Sequence, residues 1–281
     1  MDSIASPGQS RTHRIDLLAR AQPSNICIEP FPHLVINEAL DPELYAALAS
    51  SFPRPEVVAG PGYQRRQGNN RRYSAPAWSL LLREDLHPVW QAFLQLLVSK
   101  EFFATVLTAF AGHWDRRLLP LLTDAELQRS GPGLLYRDSF RDFRVLADAR
   151  VEINSPVRDV PSSPRGAHLD TPNRVYSALF YFRDERDDST GGDLELFRWK
   201  SRPSEPIDVF ELPRDDVERV SAIPYRPNQL VLFPQSVSAL HGVGIRHPTP
   251  HIRRYLFITA ELEEDWLTEP HGDTVGTNGR S

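Results

Sequence analysis

Apolar positions change their spacing once along this chain, from a helical repeat in the first half to short strand-like runs in the second. From Leu86 to Ala111 apolar residues recur every three or four positions, which is typical of helices that pack against a sheet. Another helix is predicted to begin at Asp41, a capping residue that is followed by Pro42 at the first helical position. The pattern predicts an α+β chain with a helical part at about 25–140 and a strand-rich core at about 145–262.

The segments outside these two parts are polar. Residues 1–24 are predicted to form a loose arm around one short helix, and residues 265–281 a disordered tail rich in Thr, Gly and Asn. Residues 57–74 lack periodicity and are predicted to form a long loop, of the kind that is often functional. Residues 25–264 are therefore expected to form a single domain.

Candidate chemistry begins with His168 and Asp170, which lie two positions apart at the start of a predicted strand. Residues two apart on a strand point to one face, so this pair offers an imidazole and a carboxylate to one metal ion. His241, just past a second predicted strand, is the candidate for a second imidazole. Two histidines and one carboxylate on one side of a metal leave positions open, as non-haem Fe(II) oxygenases require.

Further motifs occur in a fixed order along the second half of the chain. In sequence order they are His168–Asp170, the apolar run Leu179–Phe182, the turn Gly191-Gly192, the run Leu230–Pro234, His241–Val243 and Arg254-Tyr255. With these motifs the chain resembles the 2-oxoglutarate and Fe(II)-dependent dioxygenase superfamily, in its bacterial prolyl-4-hydroxylase-like branch.

This resemblance implies a double-stranded β-helix, related to jelly-rolls and cupins, with the N-terminal helices as a buttress. It implies Fe(II) bound by His168, Asp170 and His241, with 2-oxoglutarate and O₂ as cosubstrates, succinate and CO₂ as products, and ascorbate as the reductant in an assay. Halogenases of the superfamily replace the carboxylate ligand by a small residue. Because Asp170 is present, hydroxylation is expected before desaturation, epimerisation or cyclisation.

The resemblance also implies a basic residue for the far carboxylate of 2-oxoglutarate. Arg254 lies thirteen positions after His241, further than is usual in the family, and Arg246 and Arg253 are its competitors. A guanidinium gives a carboxylate two parallel hydrogen bonds. If Tyr255 packs outward together with Arg253, strand alternation turns Arg254 into the barrel, and Arg254 is therefore predicted to bind the cosubstrate.

On the Leu179 strand, the same alternation places Ser177, Leu179 and Tyr181 on one face. The resemblance places Tyr181 near the cosubstrate carboxylate, and the alternative is a core tyrosine with a satisfied hydroxyl group.

Composition narrows the function classes. The net charge of −5 over 281 residues argues against a general nucleic-acid or membrane-surface binder, and the arginine-rich run 64–72 is expected to be a solvated loop. The single cysteine, Cys27, fits a reducing compartment. No apolar run is long enough for a membrane span and the first twenty residues lack a signal-peptide core, so the cytoplasm is expected. The oligomeric state is not predicted.

The expected substrate is a small molecule such as an amino acid, a sugar or a natural-product intermediate. Candidate contacts are Arg165, Asn173, Arg174 and the loop 65–73, whose arginines favour a carboxylate-bearing compound. Three alternatives stay open: hydroxylation of a protein or peptidyl proline, a cupin-type metalloprotein that is not an oxygenase, and a catalytically silent binding protein. Added 2-oxoglutarate would have no effect on the second.

Overall fold

The computed structural model describes residues 16–201 and 211–267. The helices are α1 (Pro42–Ser50), α2 (Pro55–Ala59), α3 (Ala77–Leu81), α4 (Pro88–Leu97), α5 (Lys100–Ala109), α6 (Leu119–Leu122) and α7 (Ala125–Ser130), with 3-10 turns at Pro23–Asn25 and Tyr63–Arg65. The strands are β1 (Ile26–Cys27), β2 (His33–Asn37), β3 (Arg72–Ala75), β4 (Gly133–Leu134), β5 (Leu146–Asn154), β6 (Arg174–Tyr181), β7 (Leu194–Trp199), β8 (Val217–Ile223), β9 (Gln229–Pro234), β10 (His241–Val243) and β11 (Arg253–Glu261). The chain is thus a mixed α/β protein, with helices before a strand-rich second half.

Local sequence signals explain where the helices begin. Asp41 caps α1 by accepting a hydrogen bond from Glu43 N at 3.0 Å, and Pro42 is the first helical residue, as predicted. The helical region predicted from Leu86 to Ala111 is divided into α4 and α5. Ser99 causes the division, because its Oγ accepts a hydrogen bond from Phe102 N and starts a new helix.

The strands form two sheets. The larger sheet has the order β1-β2-β9-β6-β11-β5-β3, with β4 beside β5, and the smaller sheet has the order β10-β7-β8. Apart from the parallel pair β4 and β5, neighbouring strands are antiparallel. The long central strands β5, β6, β9 and β11 correspond to the apolar runs predicted as strands.

The two faces of the larger sheet bury two separate apolar clusters. Leu256 and Ile258 of β11 belong to the cluster that includes the helices, for example Trp90 and Phe93 of α4. Tyr255 and Phe257 belong to the second cluster, together with Leu194 and Leu196 of the smaller sheet. The space between the two sheets is therefore lined by the odd-numbered residues of β11.

This alternation corrects the prediction for β11. Leu256 and Ile258 were expected to point into the barrel with Arg254, and Tyr255 and Phe257 to point outward. The structure has the opposite arrangement, because the leucine and the isoleucine fill the contact with the helices.

Three segments outside the core also differ from expectation. The predicted loop 57–74 contains the end of α2, a 3-10 turn and the start of β3, which pairs with β5 at the edge of the larger sheet. Within the predicted arm, Leu17 and Leu18 are buried in the helix-side cluster, and residues 17–20 form a turn instead of a helix. At the other end, Leu267 is buried as well. Residues 1–15 and 268–281, which make up most of the predicted arm and tail, lie outside the described residues.

Among the described residues, no single helix has the length and apolar composition needed to cross a membrane. The adjacent helices α4 and α5, bent by 52° at their break, meet those two criteria only as a pair.

Candidate metal and cosubstrate site

A backbone pairing between two loop-to-strand junctions brings the two histidines together. His168 N donates to His241 O at 2.9 Å, and His241 N donates to His168 O at 3.1 Å. The next residue, Gly242, runs so close to Gly166 that an added Cβ would lie 2.7 Å from Gly166 O. This pairing sets the imidazole ring centroids 4.3 Å apart.

Asp170 completes a buried group of three potential ligands. His168 Nε2 lies 3.7 Å from Asp170 Oδ1, and His241 Nε2 lies 3.6 Å from Asp170 Oδ2. One ligand atom from each residue falls within 4.8 Å of the others. The three side chains predicted as metal ligands therefore converge on one point.

Hydrogen bonds at Nδ1 orient both imidazoles for metal binding. His168 Nδ1 lies 2.7 Å from Gly166 O, and His241 Nδ1 lies 2.9 Å from Ala239 O. A carbonyl oxygen can only accept, so each Nδ1 carries the proton and each Nε2 presents its lone pair to the site. Burial and the neighbouring His168 lower the pKa of His241 to about 4, which keeps it in the neutral form that metals bind.

Asp170 is held in its charged form by an unusually complete set of donors. Burial opposes its ionisation, but Arg174 and the two histidines outweigh that effect and hold the pKa of Asp170 well below its usual range. Arg174 Nη1 lies 2.8 Å from Oδ1, and Ser177 Oγ donates to Oδ2 at 2.6 Å. The backbone is fixed by Gln235 Nε2, which donates to Asp170 O at 3.0 Å.

The three ligands border a cavity of about 130 Å³ between the sheets. Its wall includes residues from β3, β5, β6, β7, β10 and β11; the charged and hydroxyl-bearing ones are Arg72, Glu152, Arg165, Tyr181, Arg253 and Tyr255. Pro164, Leu179, Leu194, Val243 and Phe257 make the rest of the wall mostly apolar.

Arg253, and not Arg254, points into this cavity. The Arg254 side chain lies on the helix-facing side of the sheet, where Nη2 contacts Asp184 Oδ2 at 2.6 Å. Arg253 is only 4% exposed, and its Nη1 donates to Gly192 O. No carboxylate within the described ranges 16–201 and 211–267 pairs with Arg253. The prediction that Arg254 faces inward is thus wrong, since the register is shifted by one residue from that expected.

Aromatic rings surround the Arg253 guanidinium. Its Cζ lies 4.2 Å from the ring centroid of Tyr225 and 5.0 Å from that of Tyr181. The Tyr181 hydroxyl group is buried beside Arg253, and no described residue meets the geometry of a hydrogen bond with it. Burial raises the pKa of Tyr181 despite this nearby cation. A buried cation and an unsatisfied hydroxyl group together favour an anionic ligand at this end of the cavity.

A second cluster, Asp187, Asp188 and His251, also has ligand atoms within 4.8 Å of one another. It is a poorer metal site, because Arg183 Nε lies 4.0 Å from Asp187 Oδ2 and Asp188 is largely exposed. The buried group of His168, Asp170 and His241 is therefore the candidate metal centre.

The sequence reasoning missed the roles of three residues. Arg174 was considered only as a substrate contact, and Ser177 only as an inward-facing residue, although both bind Asp170. Glu152 was not considered. The signal for it was present, because Asp148, Arg150, Glu152 and Asn154 put polar side chains at every second position of an otherwise buried strand.

No family model matches the chain, and no similar sequence was found among curated proteins. Solved structures do resemble it. A prolyl-4-hydroxylase from Pseudomonas putida is 12% identical, with 83% of this chain and 93% of that chain covered and a TM-score of 0.41. Prolyl 4-hydroxylases from Phytophthora capsici are 17% identical, with 91% of this chain and 68% of that chain covered and a TM-score of 0.49. An oxidoreductase of the 2OG-Fe(II) oxygenase family from Burkholderia pseudomallei is 11% identical, with 85% of this chain and 88% of that chain covered and a TM-score of 0.39.

The Burkholderia protein is named as a member of the superfamily that the sequence motifs resemble. The other two are named as prolyl 4-hydroxylases, the branch that the motifs resemble. With identities of 11–17% and TM-scores of 0.39–0.49 the likenesses carry no functional argument.

Proposed function

We propose that this protein is an Fe(II)- and 2-oxoglutarate-dependent dioxygenase that hydroxylates an unactivated C–H bond of a small molecule. The observation that carries the proposal is the combination, in one cavity, of the buried ligand set His168, Asp170 and His241 with the buried Arg253, which has no carboxylate partner within the described residues. In this proposal the two sheets are the halves of a double-stranded β-helix, with α3 and α4 as a buttress against β5.

The ligand set fits Fe(II). Two imidazoles and one carboxylate converge in the cavity, and two histidines with one carboxylate are the donor set of non-haem Fe(II) oxygenases. When bound, the iron with 2-oxoglutarate and O₂ would supply the oxidising chemistry that yields succinate, CO₂ and a hydroxylated product.

The protein's own residues bind and orient. Arg253 would take the far carboxylate of 2-oxoglutarate through two parallel hydrogen bonds, and Tyr181 would donate its unsatisfied hydroxyl to the same group. Gly166 O and Ala239 O keep the protons of the two histidines on Nδ1. The apolar residues of the wall, among them Leu179, Leu194 and Phe257, would leave fewer polar groups to hold water beside the metal.

Cosubstrate binding tests the role of the two arginines. In protein loaded with Mn(II), Arg253→Ala should weaken 2-oxoglutarate binding, measured by calorimetry, by about two orders of magnitude or more, since an unpaired buried carboxylate costs roughly 3–5 kcal/mol. Arg254→Ala is the matched control, because its side chain pairs with Asp184 on the other side of the strand. If the two variants responded in the reverse order, the assignment of Arg253 would be wrong.

Turnover tests the reaction class. Candidate substrates are supplied with Fe(II), ascorbate and O₂, and succinate and the product mass are measured. We expect a mass gain of one oxygen. If 2-oxoglutarate neither binds nor is consumed, the protein is a cupin-type metalloprotein or a silent relative. A hydroxylated peptide instead of a small molecule would indicate the protein-modifying alternative.

The proposal includes a location in the cytoplasm.

A further inference from the structure

Two oppositely charged side chains in the cavity have no task in metal or cosubstrate binding. Glu152 of β5 and Arg72 of β3 both line it, and Arg72 Nε lies 3.9 Å from Glu152 Oε2. This distance is too long for a hydrogen bond. The two groups therefore attract each other, while Glu152 Oε2 accepts no hydrogen bond from Arg72.

Glu152 is a buried carboxylate that is only half satisfied. It is 2% exposed, and Oε1 accepts a hydrogen bond from Ser74 Oγ at 3.1 Å. Oε2 is buried, and within residues 16–201 and 211–267 no donor meets the geometry of a hydrogen bond with it, although the Tyr255 hydroxyl group lies beside the Glu152 carboxylate. Buried carboxylate oxygens normally have such a donor, so a ligand that supplies one would be stabilised here.

Arg72 is held at the cavity by a loop that is itself anchored. Asn70 Nδ2 donates to Ser162 O at 2.8 Å, and Asn70 N donates to Pro156 O at 3.0 Å. Arg71 N donates to Ser155 Oγ at 2.8 Å. The Arg72 side chain is half exposed, and among the described residues its guanidinium donates no hydrogen bond. The backbone around Arg72 is thus fixed at the cavity, while the hydrogen-bond donors of its guanidinium are available to a ligand.

Strand register places this pair beside the cosubstrate end of the cavity. Arg72 and Arg253 both pair with Asn154, and Glu152 pairs with Tyr255, which in turn pairs with Tyr181. All these side chains face the space between the sheets. A ligand on Glu152 and Arg72 would therefore share the cavity with the metal ligands and with Arg253.

We propose that Glu152 and Arg72 bind a zwitterionic substrate, with its ammonium group on Glu152 Oε2 and its carboxylate on the Arg72 guanidinium. A free α-amino acid is the simplest such molecule, because both of its charged groups are attached to one carbon and can therefore reach two side-chain groups whose nearest charged atoms are 3.9 Å apart. The inference rests on the proposed function and names its substrate class.

The experiment compares free amino acids with their blocked derivatives. The protein is loaded with Fe(II) and 2-oxoglutarate, and succinate formation is measured with the common free amino acids, their N-acetyl forms and their amides. At least one free amino acid should raise succinate formation about tenfold or more above the level without substrate, and both of its blocked forms should fail to do so.

Variants then assign the two contacts. Glu152→Gln keeps the shape and the contact with Ser74, and Arg72→Gln keeps the chain length. Each should raise the KM for the active amino acid by about tenfold or more. Arg71→Gln is the control, because Arg71, which directly precedes Arg72, is exposed and does not line the cavity; it should leave the KM unchanged. Calorimetric 2-oxoglutarate affinity, unchanged in all three, shows that the site is folded.

Each outcome decides the inference. If 2-oxoglutarate binds but no free amino acid stimulates turnover, or a blocked form works as well as the free one, the zwitterion assignment is wrong while the proposed function stands. Unchanged KM values in both variants would likewise overturn it. If 2-oxoglutarate does not bind, the proposed function and this inference fail together.

Discussion

The ion pair between Arg174 and Asp170 makes a quantitative prediction that links folding to metal binding. Arg174 Nη1 lies 2.8 Å from Asp170 Oδ1, and their side chains are 9% and 2% exposed. Replacing one partner of a buried pair leaves an uncompensated charge, which costs roughly 3–5 kcal/mol. Arg174→Met keeps the unbranched stem but removes the guanidinium, whose Cζ lies 4.8 Å from the ring centroid of Phe257, and should lower the free energy of unfolding of the metal-free protein by about that amount.

A bound divalent ion should reduce this loss. The ion supplies positive charge to Asp170 in place of the guanidinium, and Ser177 and Gln235 still hold the aspartate. By linkage, a smaller destabilisation with metal means that Arg174→Met binds the metal more tightly than the unchanged protein does. Urea denaturation with and without Mn(II) measures both effects.

Arg150 provides a matched control. Its Nε lies 2.8 Å from Asp148 Oδ2 in another largely buried pair on the same face of the sheet, and its Cζ lies over Phe257, as that of Arg174 does. Both arginines also pair with Glu261, Arg174 at 3.4 Å and Arg150 at 3.7 Å. Arg150→Met should be destabilised equally with and without Mn(II). The reasoning would be refuted if Arg174→Met lost the same free energy in both conditions, or lost none.

Three further predictions concern the metal centre. Replacing any one of His168, Asp170 and His241 by alanine should abolish metal-dependent turnover. The circular dichroism spectrum should remain that of the folded protein, because the three side chains border a cavity. If iron binding and activity survived the loss of His241, the proposed ligand set would be wrong. Gly242→Ala should weaken Mn(II) binding by about 10–100-fold, since its Cβ would meet Gly166 O at 2.7 Å and separate the paired histidines; an unchanged calorimetric affinity would refute this. With chloride present, mass spectrometry should find a product that gains oxygen and no chlorine, because Asp170 would fill the ligand place that a halide needs. A chlorinated product would contradict this.

The sequence alone predicted the three side chains that converge in the candidate metal centre, and it predicted the main strands. His168 and Asp170 are close in sequence, and the strands leading to them and to His241 are apolar runs bounded by turn residues. Such signals are local, so a single sequence contains them. The same is true of the start of α1, where a cap and a proline coincide.

The tertiary structure decided which arginine enters the cavity. Alternation shows that Arg253 and Arg254 face opposite ways, but both faces of β11 are apolar, with Tyr255 and Phe257 on one and Leu256 and Ile258 on the other. The sequence pattern therefore shows that alternate residues of β11 share a face, but it does not show which face points into the cavity. Only the packing of the helices against Leu256 and Ile258 assigns Arg253 to the space between the sheets.

Contacts between distant segments were equally beyond the sequence. Arg72 lies in a stretch without periodicity, and it reaches the cavity because β3 pairs with the edge of β5, which also presents Glu152. The charge-assisted contact of Arg174 with Asp170 depends on the turn that precedes β6. Local propensity predicts elements, but the meeting of charged side chains from separate elements is set by strand register and by the close packing of the two sheets.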